Sequence, residues 1–296
     1  MPGEIIAVTV TFNPDLSMLR KQIESLTASE IEIVIVDNGS TSVAGLLTLA
    51  DEYKSVVKLT LLETNKGIAA AQNIGIGFAL EHHYTYVLLM DQDSLPAEGM
   101  VSQLYQAAQH YSKLAAVGPQ FIDQNGHVHS RFIRTKGLFI DKQLKADEFG
   151  CVEVDHLIAS GSLIPLKVFD RIGKMEEGLF IDYVDIEWAL RAKSKGLHSY
   201  GVLAAKMVHS LGDKRVHLLG RSVAIHQPLR HYYQSRNAIL LYQRNYIPWS
   251  WKVVDAYKLL AKLIVFILAS SQKKIELKMI AKGLFDGIRN VKGKYS

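Results

Sequence analysis

"VLLMDQDSLP", residues 87–96, decides the fold: an apolar run from Val87 to Met90 ends in Asp91, Gln92 and Asp93. A short, unbroken apolar run suits a strand covered on both faces. If the extended geometry persists, Asp91 and Asp93 point to one side and Gln92 to the other. Two unpaired carboxylates repel, and a hard divalent cation with oxygen ligands, Mg2+ or Mn2+, relieves that. The competing reading is a helix cap before a helix starting near Pro96. Ser94 alone suffices as that cap, so capping leaves the paired carboxylates unexplained.

The same strand pattern recurs on either side. "IIAVTVTF" (5–12), "IEIVIVDN" (31–38) and "SVVKLTLLE" (55–63) read as strands. Between them, 15–26 places Leu16, Leu19, Ile23 and Leu26 at helical spacing, and 43–53, 67–83 and 97–112 also read as helices. Strands rich in Val, Ile and Leu that alternate with helices predict a mostly parallel central sheet with helices on both faces. Further strand candidates lie in 113–122 and 151–165, and 123–150 is a polar excursion, a loop or hairpin. Helical periodicity returns over 180–196, ending at Gly196, and holds from Pro228 onward with a break near Pro248.

In open α/β sheets, ligands bind beyond the carboxyl ends of the strands. "VTFNP", "VDNGS", "ETNKG" and "MDQDS" all fall at such ends. Each alone is a turn signal. Four on one rim describe a binding crevice.

The 296 residues suffice for one large domain or two small ones, and 48% are hydrophobic, which excludes global disorder. Cys151 is the one cysteine, so no internal disulfide forms and a reducing, cytoplasmic setting fits; "MPGEIIAVTV" has no signal-peptide pattern. The net charge of +5 is uneven: from Lys252 to Ser296 ten Lys/Arg face three Asp/Glu, leaving the body slightly acidic. That argues against nucleic acid as the ligand of the main fold and points the tail at an anionic surface.

The motifs "VTFNP", "IVIVDNGS", "NKGIAAAQNIGI", "LLMDQDS", "ASGSLIP" and "FIDYVDIEWALR" occur in the order seen in family-2 glycosyltransferases of the GT-A fold. Within that family the chain resembles bacterial rhamnosyltransferases that use dTDP-L-rhamnose, over about residues 4–240. The resemblance implies a catalytic domain spanning 1–240 and a basic amphipathic helical extension over 241–296. It implies that Thr11 and Asn13 lie where the first loop embraces the nucleoside, that Asp37 accepts a hydrogen bond from the pyrimidine N3–H, and that Asn65, Gly67 and Asn73 lie beside the nucleotide. Asp91 and Asp93 match the metal–diphosphate motif, with His209 approaching the metal, and Arg236 matches a phosphate-neutralising position. Asp185 aligns with the catalytic base and Glu187 with the acidic residue two places on. The family's Glu-Asp pair is Val184-Asp185 here, and Asp182 lies near enough to compete for the base role. An acidic first helical turn is the alternative for Asp185 and Glu187. A core histidine is the alternative for His209, and a surface ion pair for Arg236.

The implied reaction is inverting transfer of L-rhamnose to a glycan or polyprenyl-linked acceptor in cell-surface polysaccharide synthesis. A UDP-hexose donor, a nucleotidyltransferase and a non-enzymatic membrane scaffold are the alternatives. "VTFNPDLS" lacks the Gly-rich, basic phosphate loop of a nucleotidyltransferase. The uncharged apolar stretch from Leu263 to Ser271 is too short to span a bilayer, which takes ~20 residues. Trp249, Trp251 and the lysines of 249–282 instead suit an interfacial helix on the inner face of the cell membrane; the alternative is a helix packed on the catalytic domain or on a second subunit of a homo-oligomer.

Overall fold

A computed structural model describes residues 3–122, 132–209, 215–218, 221–224, 227–270 and 272–295, with only the backbone described at 209, 215–218, 221–224 and 269. The first half alternates as the apolar pattern dictates. β1 (Ile5–Thr11), α1 (Leu16–Ala28), β2 (Glu32–Asp37), α2 (Ala44–Glu52), β3 (Val57–Leu61), α3 (Ile68–Glu81) and β4 (Tyr86–Asp91) follow one another. Next come β5 (Ser94–Pro96), α4 (Met100–Gln109), β6 (Leu114–Ile122) and a hairpin of β7 (Arg134–Lys136) and β8 (Phe139–Asp141). β9 (Cys151–Val154), β10 (Ser162–Pro165), α5 (Phe169–Ile172), α6 (Val184–Ser194) and β11 (His198–His209) complete the sheet, and α7 (Pro228–Tyr242), α8 (Trp249–Ala269) and α9 (Lys273–Ile288) close the chain.

The main sheet has nine strands in the order β3-β2-β1-β4-β10-β6-β11-β5, with β9 also on β11. β1 to β4 run parallel, and β10 enters antiparallel between β4 and β6. The sheet is therefore mostly parallel, as expected. Both faces of β1 are buried: Ile6, Val8 and Val10 pack with α3 and α6, while Ile5 and Ala7 pack with α1, α2 and α4. Two-sided burial explains why these strands read as continuous apolar runs.

Two elements depart from the sequence expectation. Ser94–Pro96 pairs antiparallel with Met207–His209 of β11 instead of opening a helix, and α4 starts only at Met100, behind Gly99 with no side-chain cap. β11 itself, twelve residues long, was not anticipated; its register shifts between Val202 and Lys206.

The three C-terminal helices are not a detached tail. α7, α8 and α9 share an apolar cluster of Ala238, Leu259, Leu263, Phe266 and Ile280. α9 crosses α7 at backbone contact: a Cβ on Gly283 would sit 2.4 Å from the Tyr232 carbonyl oxygen, and one on Gly287 2.8 Å from that of Arg236. Beneath the crossing, His231 Nδ1 meets Glu276 Oε2 at 2.6 Å, both buried. No helix of the described residues is long and apolar enough to cross a membrane. Gly283→Ala should force the two helices apart and destabilise the fold by about 1–3 kcal/mol, the usual cost of overpacking, read as a lower urea midpoint.

Candidate active site

Strand register aligns the tips of the sheet. Thr11 pairs with Asp37, Val10 with Asp91, and Asp37 with Leu61. Chain order reverses at β1, with β2 on one side and β4 on the other, which is where doubly wound sheets open a crevice. The loops there are tied to each other through side chains. Asp37 is fully buried; its Oδ1 accepts from Thr11 Oγ1 at 2.9 Å and Ser40 Oγ at 2.5 Å, and its Oδ2 from the Ser40 amide at 2.8 Å. Asn13, at φ 48°, accepts from the amide and hydroxyl of Thr41, both at 2.9 Å. Asn65 Oδ1 accepts from Asn38 Nδ2 at 3.2 Å and from the Gly67 amide at 2.9 Å.

Gly67 needs to be glycine. Its φ is 90°, and a Cβ would lie 2.6 Å from the Phe180 carbonyl oxygen. That close approach locks the start of α3 to the loop before α6, where the Ile68 amide also donates to Phe180 O at 2.7 Å.

The extended geometry does not persist beyond Asp91: the chain enters a turn at Gln92. Gln92 Oε1 accepts from the Phe12 amide at 2.7 Å, which ties the β1 and β4 loops together. The Asp91 backbone is held from both sides, its amide donating to Ser160 Oγ at 2.9 Å and its carbonyl accepting from Gln22 Nε2 at 2.7 Å. With α4 starting at Met100, the capping alternative for Asp91 and Asp93 falls away.

Asp185 arrives from the other side, in the first turn of α6. The loop before it is strained: Phe180, Asp182 and Tyr183 all have positive φ, 66°, 62° and 65°. Such conformations cost roughly 1–3 kcal/mol each and persist only when their surroundings impose them. α7 does so here. Asn237 Nδ2 donates to the carbonyls of Leu179, Ile181 and Asp182 at 2.9, 2.8 and 3.0 Å. Arg236, fully buried, donates to Leu179 O at 2.9 Å and Gly293 O at 2.6 Å, with its guanidinium 4.9 Å from the Tyr233 ring centroid. α8 adds Asp255, whose Oδ2 accepts from Tyr183 at 2.9 Å and Tyr242 at 2.7 Å.

Asp91, Asp182, Asp185, His156 and Arg230 line one cavity of about 650 Å³, and Lys258 and Lys262 of α8 form part of its wall. The size falls in the roughly 300–1,000 Å³ range of small-molecule sites. Its electrostatics are strained. Burial first, then the carboxylates of Asp93 and Asp185, push Asp91 up to about 7, against the pull of Arg230. Burial also raises Asp185, opposed by His156 and by the backbone amides of Ile186 and Ala159. Burial lowers His156, against the pull of the Asp185 and Asp155 carboxylates. Arg230 Nε lies 3.2 Å from Asp182 Oδ2.

Excess negative charge on oxygen ligands fits a hard divalent ion. Among the described residues no group of three or more His, Cys, Asp or Glu is arranged to hold a metal unaided.

Several expected residues do other work. Arg236 faces the backbone of the 178–182 loop, so its donors go to carbonyls and not to a phosphate; the cavity-facing guanidinium is that of Arg230. Asn73 turns to the 175–177 loop, donating to Met175 O at 3.0 Å and Glu177 Oε1 at 2.8 Å. Glu187 is buried against Arg191 and Tyr246, and Trp188 is core, its Nε1 donating to Gly173 O at 3.0 Å. The His209 side chain lies outside the described residues; its backbone pairs with Ser94. Sequence reasoning missed His156, Arg230 and the α8 residues. The sequence does not separate the two arginines; in the structure Arg230 lies one helical turn from Gln234, which also lines the cavity, whereas Arg236 falls on another face of α7.

Two outcomes test this geometry. Asn237→Ala leaves the loop carbonyls without their donor, so stability should fall by about 1–3 kcal/mol in urea, and kcat should fall more than donor affinity. An unchanged kcat would show that the clamp does not position Asp185. For Asp91, the raised carboxyl binds its proton more tightly folded than unfolded. Its contribution to stability is therefore full below pH 3.8 and lost as pH rises towards 7. Mn2+ competes for the same oxygens, so its thermal stabilisation should grow from pH 5.5 to pH 8 and vanish in Asp91→Asn.

The family model for glycosyl transferase family 2 matches residues 6–173. The dTDP-rhamnosyl transferase RfbF of Shigella flexneri is 34% identical over 99% of this chain and 98% of its own length. Two solved structures share the fold. The mannosyltransferase PcManGT of Pyrobaculum calidifontis, in complex with GDP-Man and Mn2+, aligns with 97% of this chain and 87% of its own at TM-score 0.59 and 11% identity. GalNAc-T7 with UDP, GalNAc and Mn2+ aligns with 97% of this chain and 56% of its own at TM-score 0.57 and 13% identity. The architecture is that of a GT-A glycosyltransferase, and the chain belongs to glycosyl transferase family 2.

Proposed function

We propose that this glycosyltransferase moves L-rhamnose from dTDP-L-rhamnose to a glycan or polyprenyl-linked acceptor, with inversion. One observation carries the reading: Asp91 from the sheet tip and Asp185 from α6 meet in one cavity beside the nucleotide rim. The similarity to a dTDP-rhamnosyl transferase over nearly the full length of both chains supports the donor.

The thymine nucleoside lies against the loops ordered by Thr11, Asn13, Asp37 and Asn65, with Gly67 at the start of α3 beside it. The diphosphate reaches the β4 tip, where Asp91 and Asp93 would hold Mg2+ or Mn2+ and Arg230 adds positive charge; His209 is the remaining candidate ligand. When bound, the ion neutralises charge developing on the departing diphosphate. Asp185 takes the proton of the acceptor hydroxyl as that oxygen bonds to the anomeric carbon. The bond from that carbon to the diphosphate oxygen breaks, and dTDP leaves with the electron pair. Burial raises the Asp185 carboxyl, which makes it the stronger base once deprotonated. Asp182 is held by Arg230, which favours Asp185 for the role.

α8 supports a membrane-side acceptor. Its inner face supplies Lys258 and Lys262 to the cavity, while Tyr257, Leu260, Ile264 and Leu268 are exposed on its outer face. Apolar and aromatic side chains flanked by the lysines of α9 suit the interface of an anionic inner leaflet. The enzyme would then sit peripherally on the cytoplasmic face, with 241–296 serving both catalysis and attachment.

Asp185→Asn should lower kcat by about 10²–10⁴-fold, the usual range for a positioned base, and leave dTDP-L-rhamnose affinity near wild type. Calorimetric titration with Mn2+ and turnover assays measure both. Wild-type turnover by Asp185→Asn would remove the assignment, and stronger stabilisation by UDP-glucose than by dTDP-L-rhamnose would overturn the donor.

A further inference from the structure

Three residues that line this cavity each carry a buried side-chain atom with no hydrogen-bond partner among the described residues: Gln72 Oε1, His156 Nδ1 and Gln234 Oε1. Gln72 and Gln234 are each 4% exposed. The residues come from separate elements, α3, the loop after β9, and α7, and these atoms lie in the cavity wall, where a side-chain rotation would turn them towards a bound ring. A buried polar atom without a partner is costly, and native structures rarely tolerate several together without a reason. Elsewhere around the crevice comparable side chains are satisfied, as Gln22, Gln92 and Asn237 show.

We propose that Gln72, His156 and Gln234 read the hydroxyl groups of a hexose ring seated between Asp91 and Asp185. The proposal rests on the sugar-transfer reading of the cavity and adds which residues set its sugar specificity. The chemistry matches. A carboxamide oxygen accepts a hydrogen bond and cannot donate one, and a neutral imidazole nitrogen does either according to tautomer. A pyranose presents several hydroxyl donors at fixed angles around one ring. Three points from three directions fix a ring's orientation, whereas an apolar wall would accept any isostere. The ring is either the one leaving the diphosphate or the one carrying the attacking hydroxyl, since both must come within bonding distance near Asp185.

Wild type, Gln72→Met, Gln234→Met and His156→Phe are titrated with dTDP-L-rhamnose and with dTDP, Mn2+ present. The ratio of the two affinities isolates the sugar. If the ring is the donor's, each variant should lower that ratio about two- to tenfold and leave dTDP affinity unchanged, as expected for one lost neutral hydrogen bond. If the ring is the acceptor's, the ratio holds and KM rises by a similar factor for whichever octyl hexoside the wild type glycosylates. Either result supports the proposal. In both cases the ligand-free melting temperature of Gln72→Met and Gln234→Met should not fall, because the oxygen removed had no partner to lose; a purely structural role would lower it. Folded variants that keep both the ratio and the acceptor KM overturn the proposal, and where wild type glycosylates no octyl hexoside the ratio alone decides. If wild type prefers another nucleotide sugar, the donor reading fails separately, and the ratio is measured with that sugar and its own nucleotide.

Discussion

The structure depends on keeping like charges together. Asp91 and Asp185 line one cavity, and each is harder to ionise because of burial and of neighbouring carboxylates, Asp93 and Asp185 for the one and Asp182 for the other. Left to itself such a pair would spread apart. The neighbouring elements prevent this largely by fixing the backbone. Gln22 and Ser160 hold the main chain of Asp91, and Asn237 and Arg236 hold the carbonyls ahead of Asp185. The Asp185 carboxylate is itself bonded by the amides of Ile186 and Ala159.

Fixing the backbone in this way explains why buried polar residues are numerous on α7, where His231, Gln234, Ser235, Arg236 and Asn237 are all buried. A helix interior is a poor place for them unless each meets a partner. Arg236 and Asn237 meet the otherwise unsatisfied carbonyls of an irregular loop, so two costs cancel. The strain at Phe180, Asp182 and Tyr183 is retained because the clamp offers the loop no better conformation.

How much of this was legible in the sequence follows from range. The first four strands and their helices are recognisable because burial on both faces writes a continuous apolar run into each strand. The carboxylates at the strand tips are legible for the same reason, since an abrupt change from apolar to acidic marks the sheet edge. Ser94–Pro96 was misread because its character comes from pairing with Met207–His209, far downstream. β11 is broken by Gly201, Ala204 and Ala205 and by a register shift, so neither period shows. Arg236 and Arg230 look equivalent in "LRHYYQSRN", and only the packing of α7 against α9 decides which faces the cavity. His156 sits in an apolar context, "HLIA", that gives no hint of Asp185 beside it.

One feature of the C-terminal region reaches further. α8 presents its inward side to the reacting groups, and Asp255 joins it to Tyr183, two residues before Asp185. Exchange of this segment between related enzymes would therefore not be neutral. A chimaera would rebuild one wall of the cavity, so the C-terminal helices and the sheet body are under a shared constraint and must drift together.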